Sequence, residues 1–451
     1  MVTKTQLERL GLFDAKVPRY TSYPTAPHFS DTVGSEVHRG WIEALPEGAE
    51  ISLYVHVPFC RRLCWFCACR TQGTQSEAPV RAYLDTLLAE LDMLKQHLPA
   101  GVRLSRLHWG GGTPTLLAPD MMETLAGRIA EVAPFAEGAE FSVEIDPNEV
   151  DETRLAVLKA AGMNRASIGV QDFDPAIQKC IGREQSYEVT RDVIAAIRAH
   201  GVESLNADIL FGLPHQTNAK ITESVQKLLS LSPDRVALYG YAHVPWMARR
   251  QGMLPSDALP TPAERLELFA TARKLFMWDG YAEIGIDHFA LPDDGLARAQ
   301  AENRLRRNFQ GYTDDRAIAL IGVGASSISR FPQGFSQNAP ATGAHTAAIR
   351  EGRFSTAKGH AFAGDDLLRA RLIEAVMCDF RIRSAEITRD FGITGAELQG
   401  LFQEVATRFD GLVQVTEEGL FIPEDARPLT RLIARAFDAY DGSRARHSSA
   451  I

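Results

Sequence analysis

ISLYVHVPFCRRLCWFCACR, residues 51–70, is a β-rich apolar run that breaks off into a cluster of cysteines. Its first seven residues are aliphatic, β-branched or aromatic at nearly every position and read as a strand. Cys60, Cys64 and Cys67 follow with the spacing Cys-x3-Cys-x2-Cys, and Cys69 puts a fourth thiol close by. The chain has six cysteines in all, the others being Cys180 and Cys378. Four so close together are too tight for a disulfide framework in a long chain. The start, MVTKTQLERLGLFDAKVPRY, carries charges throughout and has no long apolar core, so it does not read as a signal peptide. No apolar run of about 18 residues predicts a membrane span. A cytoplasmic location is expected. In that reducing compartment the cluster reads as metal binding or redox chemistry.

Outward from this strand the chain alternates β-rich runs with amphipathic stretches. Strands are predicted over 51–57, 104–110, 139–146, 164–170, 203–212 and 234–243. Apolar residues three and four apart predict helices over 79–98, 119–132, 151–161, 185–200 and 219–230. These are six strand–helix units of roughly 30 residues, which imply a parallel sheet with helices outside it. Six units are too few for a closed eight-unit barrel unless the less regular 281–330 region completes it. In such folds the chemistry sits at the C-terminal ends of the strands.

Residues 1–50 read as an N-terminal arm rich in Pro, Thr and Tyr. Residues 51–360 read as the catalytic domain with its extension, and 361–451 as a C-terminal helical domain. In the last, helices at 365–379, 384–391 and 394–408, a hairpin in GLVQVTEEGLFIP (411–423) and a final helix near 424–440 suggest a winged-helix-like unit. The tail SRARHSSAI (443–451) is expected to be disordered. Lys and Arg number 48 against 57 Asp and Glu, a net charge of −9. That balance argues against nucleic acid as a partner. It leaves room for a small anionic substrate, which needs only a local basic pocket.

Three thiolates can hold three irons of a [4Fe–4S] cubane and leave the fourth iron open. Two alternatives stand beside this one. A zinc knuckle would take Cys69 or His56 as its fourth ligand, and a ferredoxin-like cluster would be closed by Cys69. Further motifs favour the open cluster. WGGGTPT (109–115) ends the second predicted strand, and its glycines let backbone approach a ligand closely. Glu144, Gln171, Arg183 and Asp208 then fall at or just beyond successive strand ends. Singly each could cap a helix or face solvent; together they outline a ligand site.

With Phe66 just before the third cysteine, the cysteine motif resembles the radical S-adenosylmethionine (SAM) superfamily signature. That resemblance implies a partial (β/α)6 TIM-like barrel whose open iron chelates SAM and whose electron breaks the sulfonium bond. The chain also resembles the oxygen-independent coproporphyrinogen III dehydrogenase (oxidase) family over nearly its whole length. The segments that carry this are PRYTSYPTAPHF (18–29), YVHVPFCRRLCWFCAC, LHWGGGTPT, VEIDP, SIGVQDF, NADILFGLP, YAHVPW, RNFQGYT (307–313) and IGVGASSIS (321–329). The resemblance implies that two propionates of coproporphyrinogen III become vinyl groups, giving protoporphyrinogen IX and two CO2. It implies one [4Fe–4S] cluster on Cys60, Cys64 and Cys67, and two SAM molecules. The first SAM would contact Tyr54, Gly111, Glu144, Ala242 and Ile328, and the second Phe66, Gly112, Thr113, Gln171, Arg183 and Asp208. A low-potential electron donor and an electron acceptor are implied as partners, with no membrane and a monomeric chain.

Toward the substrate the candidates are Cys69, Gln310, Arg19 and Tyr20, with Tyr23 beside them. The arm is expected to close over the substrate as a lid. Gly240 and Trp65 depart from the family pattern and touch only the expected substrate contacts. A heme-trafficking paralogue on the same fold would have an aromatic at Cys69, no PRYTSYPT arm and a His-Asn heme motif, and this chain has none of these features. A radical SAM methylase would need a further methyl-accepting cysteine, and Cys180 and Cys378 read as buried small residues.

Overall fold

The structure is a computed structural model and describes residues 3–440 and 447–451. Six parallel strands form its centre: β1 (Glu50–Val57), β2 (Arg103–Gly111), β3 (Phe135–Ile145), β4 (Arg165–Gln171), β5 (Ser204–Phe211) and β6 (Arg235–Gly240). They lie side by side in sequence order. The chain returns between them through α1 (Ala78–His97), α2 (Pro119–Val132), α3 (Glu152–Ala160), α4 (Tyr187–Ala199) and α5 (Asn218–Leu229), and α6 (Pro262–Trp278) follows β6. This is the expected partial (β/α)6 barrel, each strand and helix found within a few residues of its predicted ends. Caps fix the starts of several helices. Asp151, Ser186 and Thr217 accept from the backbone of Arg154, Val189 and Lys220, and Thr261 with Glu264 forms a capping box on α6.

The 281–330 region does not supply two more strand–helix units. It adds β7 (Ala282–Ile284) and β8 (His288–Ala290), with β8 antiparallel to β6. At the other edge β9 (Ala319–Val323) pairs parallel with β1. β10 (Ile328–Phe331), β11 (Gly334–Asn338) and β12 (Thr356–Ala361) continue the sheet antiparallel to twelve strands. Between these edges Arg306–Asn308 and Gly311–Thr313 form a separate hairpin.

Side chains alternate across a strand, and here the two faces differ in kind. Ile51, Leu53, Val55 and Val57 of β1 join the main core under the helices. The other face is polar: Ser52, Arg106, His108, Glu140, Glu144, Arg165, Asp208 and Arg235 line a cavity of about 220 Å3. Its floor is ionic. Arg106 lies 2.8 Å from Glu140 and 2.6 Å from Asp314, Arg165 lies 3.0 Å from Glu140, and Arg235 lies 2.7 Å from Asp294. Polar side chains facing inward leave the barrel unable to fill with a dry core, so its mouth stays a site.

The C-terminal unit follows winged-helix order. α7 (Asp366–Asp379), β13 (Arg381–Arg383), α8 (Ser384–Phe391) and α9 (Gly395–Arg408) lead to β14 (Gln414–Thr416) and β15 (Gly419–Phe421), and β15 lies between the other two strands. The expected final helix over 424–440 is shorter. Residues Glu424–Leu429 form a 3-10 turn around Pro428, which has no N–H to donate, and only Thr430–Arg435 is α-helical. A second core holds this unit together, and Leu7, Leu12, Val17, Tyr20 and Tyr23 of the arm belong to it.

Disorder was expected for residues 443–451. Residues 443–446 lie outside the described residues, and 447–451 are docked. Ser449 bridges Lys16, the Ala450 N–H donates to the Ala15 carbonyl, and Arg431 donates to the carbonyls of Ser449 and Ala450. Among the described residues no helix is long and apolar enough to cross a membrane.

Candidate active site

The cysteine loop leaves the end of β1 and is tied to its neighbours by backbone. Gly112 N–H donates to the Val57 carbonyl, Thr113 N–H to the Phe59 carbonyl and Trp65 N–H to the Ile181 carbonyl. All the cysteines are free thiols. Burial pushes the Cys60 and Cys64 thiols up, Cys60 to about 11, and the neighbouring cysteines add to the rise. Arg183 Nη1 reaches to 3.7 Å from the Cys64 sulfur. Cys69 is exposed, and its N–H donates to the Cys67 sulfur at 3.4 Å. A hydrogen bond from the Cys69 thiol is the main reason the Cys67 thiol drops to about 6, and the Cys69 N–H adds to it against the effect of burial. Three free thiols on one loop, beside a cation that offsets their charge, form a donor set that fits a three-thiolate cluster. Among the described residues no three His, Cys, Asp or Glu side chains are gathered tightly enough for a single metal ion. A cubane, being larger than one ion, holds its thiolates further apart.

The glycines of WGGGTPT have a steric reason. A Cβ on Gly112 would lie 2.4 Å from the Phe59 carbonyl oxygen and 3.0 Å from the Cys60 sulfur. Gly111 has φ +113°, and a Cβ there would meet the His56 ring at 2.6 Å. Gly112→Ala should therefore displace the cysteine loop and lower iron and sulfide after anaerobic reconstitution by more than half. Gly127→Ala on α2 has open space around it and should keep the cluster, with stability unchanged or raised by up to about 1 kcal/mol.

The strand-end residues converge on the barrel mouth. Glu144 Oε2 accepts from Gly111 N–H at 3.0 Å, and Oε1 lies 3.3 Å from His108 Nε2. Burial would raise this carboxyl, but His108 and the Gly111 N–H hold it below its ordinary value. Burial pushes the Asp208 carboxyl up to about 7, against the hydrogen bond it accepts from Asn206 Nδ2 and with Glu144 adding to the rise. Tyr54 stacks on His108, ring centroids 5.7 Å apart. Gln171 sits in the left-handed region at φ 68°, where the β4–β5 register shifts. Arg183 links Asp146 at 2.8 Å, the Gly169 carbonyl at 3.1 Å and Cys64. Ile328 opens β10 on the far side of β1.

Two residues unmarked in the sequence reading brace this site. The fully buried Gln251 donates to the carbonyls of Phe66 at 2.7 Å and Ala242 at 3.0 Å, which ties the two loops together. Arg250 donates to Thr71 Oγ1 at 3.0 Å, just beyond the cysteines. Neither lies in a motif, so only the fold could have found them.

The substrate-side candidates divide. Gln310 sits at the turn of the 306–313 hairpin and lines the barrel cavity with Glu144 and Asp208. Arg19 donates to the Gly240 carbonyl at 2.6 Å, at the end of β6. The Tyr20 hydroxyl donates to Asp438 at 3.0 Å, and the Tyr23 hydroxyl accepts from the Ala439 N–H at 2.9 Å. Both tyrosine rings lie in the second core, so they fasten the arm down.

A partial (β/α)6 barrel with this cysteine loop defines a radical SAM enzyme, and the family model "Radical SAM superfamily" matches residues 54–228. The chain is 67% identical over 451 residues to an oxygen-independent coproporphyrinogen III oxidase of Paracoccus denitrificans, covering 100% of both chains. It is 37% identical over 431 residues to the Escherichia coli protein of the same description, covering 95% of this chain and 94% of that one. A solved structure of the Escherichia coli coproporphyrinogen III oxidase, described as a radical SAM enzyme, superposes with a TM-score of 0.89 at 35% identity, over 95% of this chain and 100% of that one. The chain belongs to the oxygen-independent coproporphyrinogen III oxidase family.

Proposed function

We infer that this chain converts coproporphyrinogen III to protoporphyrinogen IX by the oxidative decarboxylation of two propionates to vinyl groups. Each propionate loses CO2, one hydrogen atom and one further electron, which an acceptor takes. The observation that carries the reading is the end-to-end likeness to oxidases of this description, arm and C-terminal unit included. When bound, the reduced cluster and SAM supply the radical that removes hydrogen from the propionate side chain.

The residues have separable tasks. Cys60, Cys64 and Cys67 hold the cluster, and Arg183 balances its thiolates. Gly111 and Gly112 keep the second strand end tight against the cysteine loop. Glu144 and Asp208 accept hydrogen bonds from the ammonium or ribose of SAM, and Tyr54, Ala242 and Ile328 complete one SAM site. Phe66, Thr113, Gln171 and Arg183, with Asp208, make room for a second SAM. Gln310 reaches from its hairpin toward the reacting propionate. The inward polar faces exclude bulk water only when ligands fill them, which protects the radical once the site is loaded.

The deciding experiment supplies anaerobically reconstituted protein with a one-electron reductant, SAM and coproporphyrinogen III. Protoporphyrinogen IX and CO2 in a 1:2 ratio support the reading; SAM cleavage with no change in the tetrapyrrole refutes it.

Two of these roles make predictions. Losing one charged hydrogen bond costs about 1.5–3 kcal/mol, so Glu144→Ala should weaken SAM binding about tenfold or more in equilibrium dialysis. Asp208 should add a pH dependence. It faces Glu144 on β3, His108 on β2, Tyr239 on β6 and Asn206 on its own strand. Its carboxyl is raised to about 7, so it is ionised above that pH and neutral below it. SAM affinity should therefore fall about tenfold from pH 8 to pH 6. Asp208→Asn should flatten that fall; an equal fall in the variant would remove Asp208 from the SAM site.

A further inference from the structure

A second cavity of about 430 Å3 adjoins the barrel interior, with Asn308, Thr313, Asp315 and Leu320 lining both. It lies between the 306–313 hairpin, the sheet extension, the C-terminal unit and residues 20–23 of the arm. Phe309 and Phe362 both pack edge-on against Phe335, centroids 5.7 and 5.2 Å away, and form an aromatic wall. Five arginines line it against two carboxylates, Asp315 and Glu374, a surplus of three positive charges in a chain of net charge −9.

Those arginines are not all occupied. Arg316 and Arg330 are exposed and have no side-chain hydrogen bond or ion pair among the described residues. The Arg307 side chain is only 4% exposed, yet its Nε and Nη1 lack hydrogen-bond partners, and its nearest carboxylate, Asp287, is 3.8 Å away. A buried guanidinium with unmade hydrogen bonds is costly unless a ligand completes it. A larger cavity of about 660 Å3 nearby also reaches Arg307, but each of its other arginines has at least one hydrogen-bond or ion-pair partner. There Arg265 and Arg431 spend their donors on the backbone carbonyls of Gly212, Tyr241, Pro18 and Ser449, and residues 448–451 fill part of the space.

We propose that the 430 Å3 cavity is the anchoring subsite for the substrate's idle carboxylates, with Arg307, Arg316 and Arg330 pairing with propionates while the aromatic wall takes the ring edge. This rests on coproporphyrinogen III being the substrate. A ligand with four carboxylates has three left over while the first is reacting and two while the second is, and the cavity's surplus of three positive charges can pair with either set. Guanidinium is suited to this task because its planar fork meets a carboxylate with two parallel hydrogen bonds. Such anchoring would let the macrocycle be held through either decarboxylation, and Gln310 on the shared hairpin would meet whichever propionate enters the barrel.

The test uses two probes and leaves the fold intact, because Arg316 and Arg330 lie at the rim. Binding of coproporphyrin III, the stable oxidised ring, is measured by fluorescence with the reconstituted full chain, and with its uncharged tetramethyl ester as the second probe. Arg316→Gln and Arg330→Gln should each weaken coproporphyrin III binding about tenfold. They should raise the KM for coproporphyrinogen III in parallel, and Arg330→Lys should recover part of the loss. The ester should bind wild type and variants alike. Unchanged affinity in both glutamine variants overturns the subsite while wild-type turnover leaves the substrate reading standing. Equal weakening of acid and ester also overturns it, since charge pairing would then not be the cause. A wild type that does not turn over coproporphyrinogen III overturns both.

Discussion

Replacing Cys60, Cys64 or Cys67 singly by serine should leave the purified protein without a stable cluster and without detectable turnover, while Cys69→Ser should keep the cluster. A serine oxygen is a hard, weakly acidic donor and a poor substitute for a thiolate on iron. In the proposed cluster each of the three thiols would serve a different iron, so no neighbour could stand in for a lost one. Cys69 is placed otherwise: it is exposed and turned toward Cys67 as a hydrogen-bond partner. Iron and sulfide after anaerobic reconstitution, with the absorbance of the oxidised cluster, read the outcome directly. Near-normal iron in any of the first three variants would refute the ligand set. A loss in Cys69→Ser as complete as in Cys64→Ser would bring back the closed cluster, in which no iron is free for SAM.

The barrel was legible because its signals are local. A parallel strand buried under helices needs an apolar residue at every second position, as Ile51, Leu53, Val55 and Val57 supply. Ser52, Tyr54 and His56 fill the alternate positions. Helix periodicity and caps such as Asp151 and Thr217 set the returns. The cysteine spacing was legible for the same reason, since the three cysteines fall within eight residues of one loop. Glu144, Gln171, Arg183 and Asp208 could be singled out only as polar residues repeated at strand ends. Their meeting at one mouth depends on six strands aligning in register, which no local pattern states.

What escaped the sequence is long-range. Gln251 braces Phe66 from 185 positions away. The floor of Arg106, Arg165 and Arg235 pairs with Asp294 and Asp314, which the chain delivers well after β6. The tail reads as disordered from its composition, yet residues 447–451 dock through backbone hydrogen bonds that are blind to side-chain type. The arm depends on long-range contacts too. Its prolines and tyrosines suggest a lid, and its apolar residues are spaced irregularly and gain meaning only against the C-terminal core.

Deleting residues 1–30 should end coproporphyrinogen turnover and lower the midpoint of thermal unfolding, while the cluster still assembles. Leu12 and Val17 are 0% and 1% exposed, and Leu7, Tyr20 and Tyr23 are at most 5% exposed, all in the core of the C-terminal unit. Truncating one buried leucine to alanine costs about 2–5 kcal/mol. Losing five such residues exceeds what a unit of this size can spare, since whole domains are stable by only about 5–15 kcal/mol. The cluster loop stands on the other core, around β1 and β2, and keeps its supports. Point variants separate packing from closure. Tyr20→Phe removes only the hydrogen bond to the Asp438 carboxylate, worth about 1.5–3 kcal/mol, and should turn over nearly normally. Arg19→Gln removes the tie to the Gly240 carbonyl, the arm's link to the end of β6, and should raise the KM for coproporphyrinogen without shifting the unfolding midpoint. If the truncated protein still makes protoporphyrinogen at the normal rate, the arm neither shapes the site nor holds the C-terminal unit against it. If it unfolds earlier but Arg19→Gln leaves KM unchanged, the arm acts by packing alone.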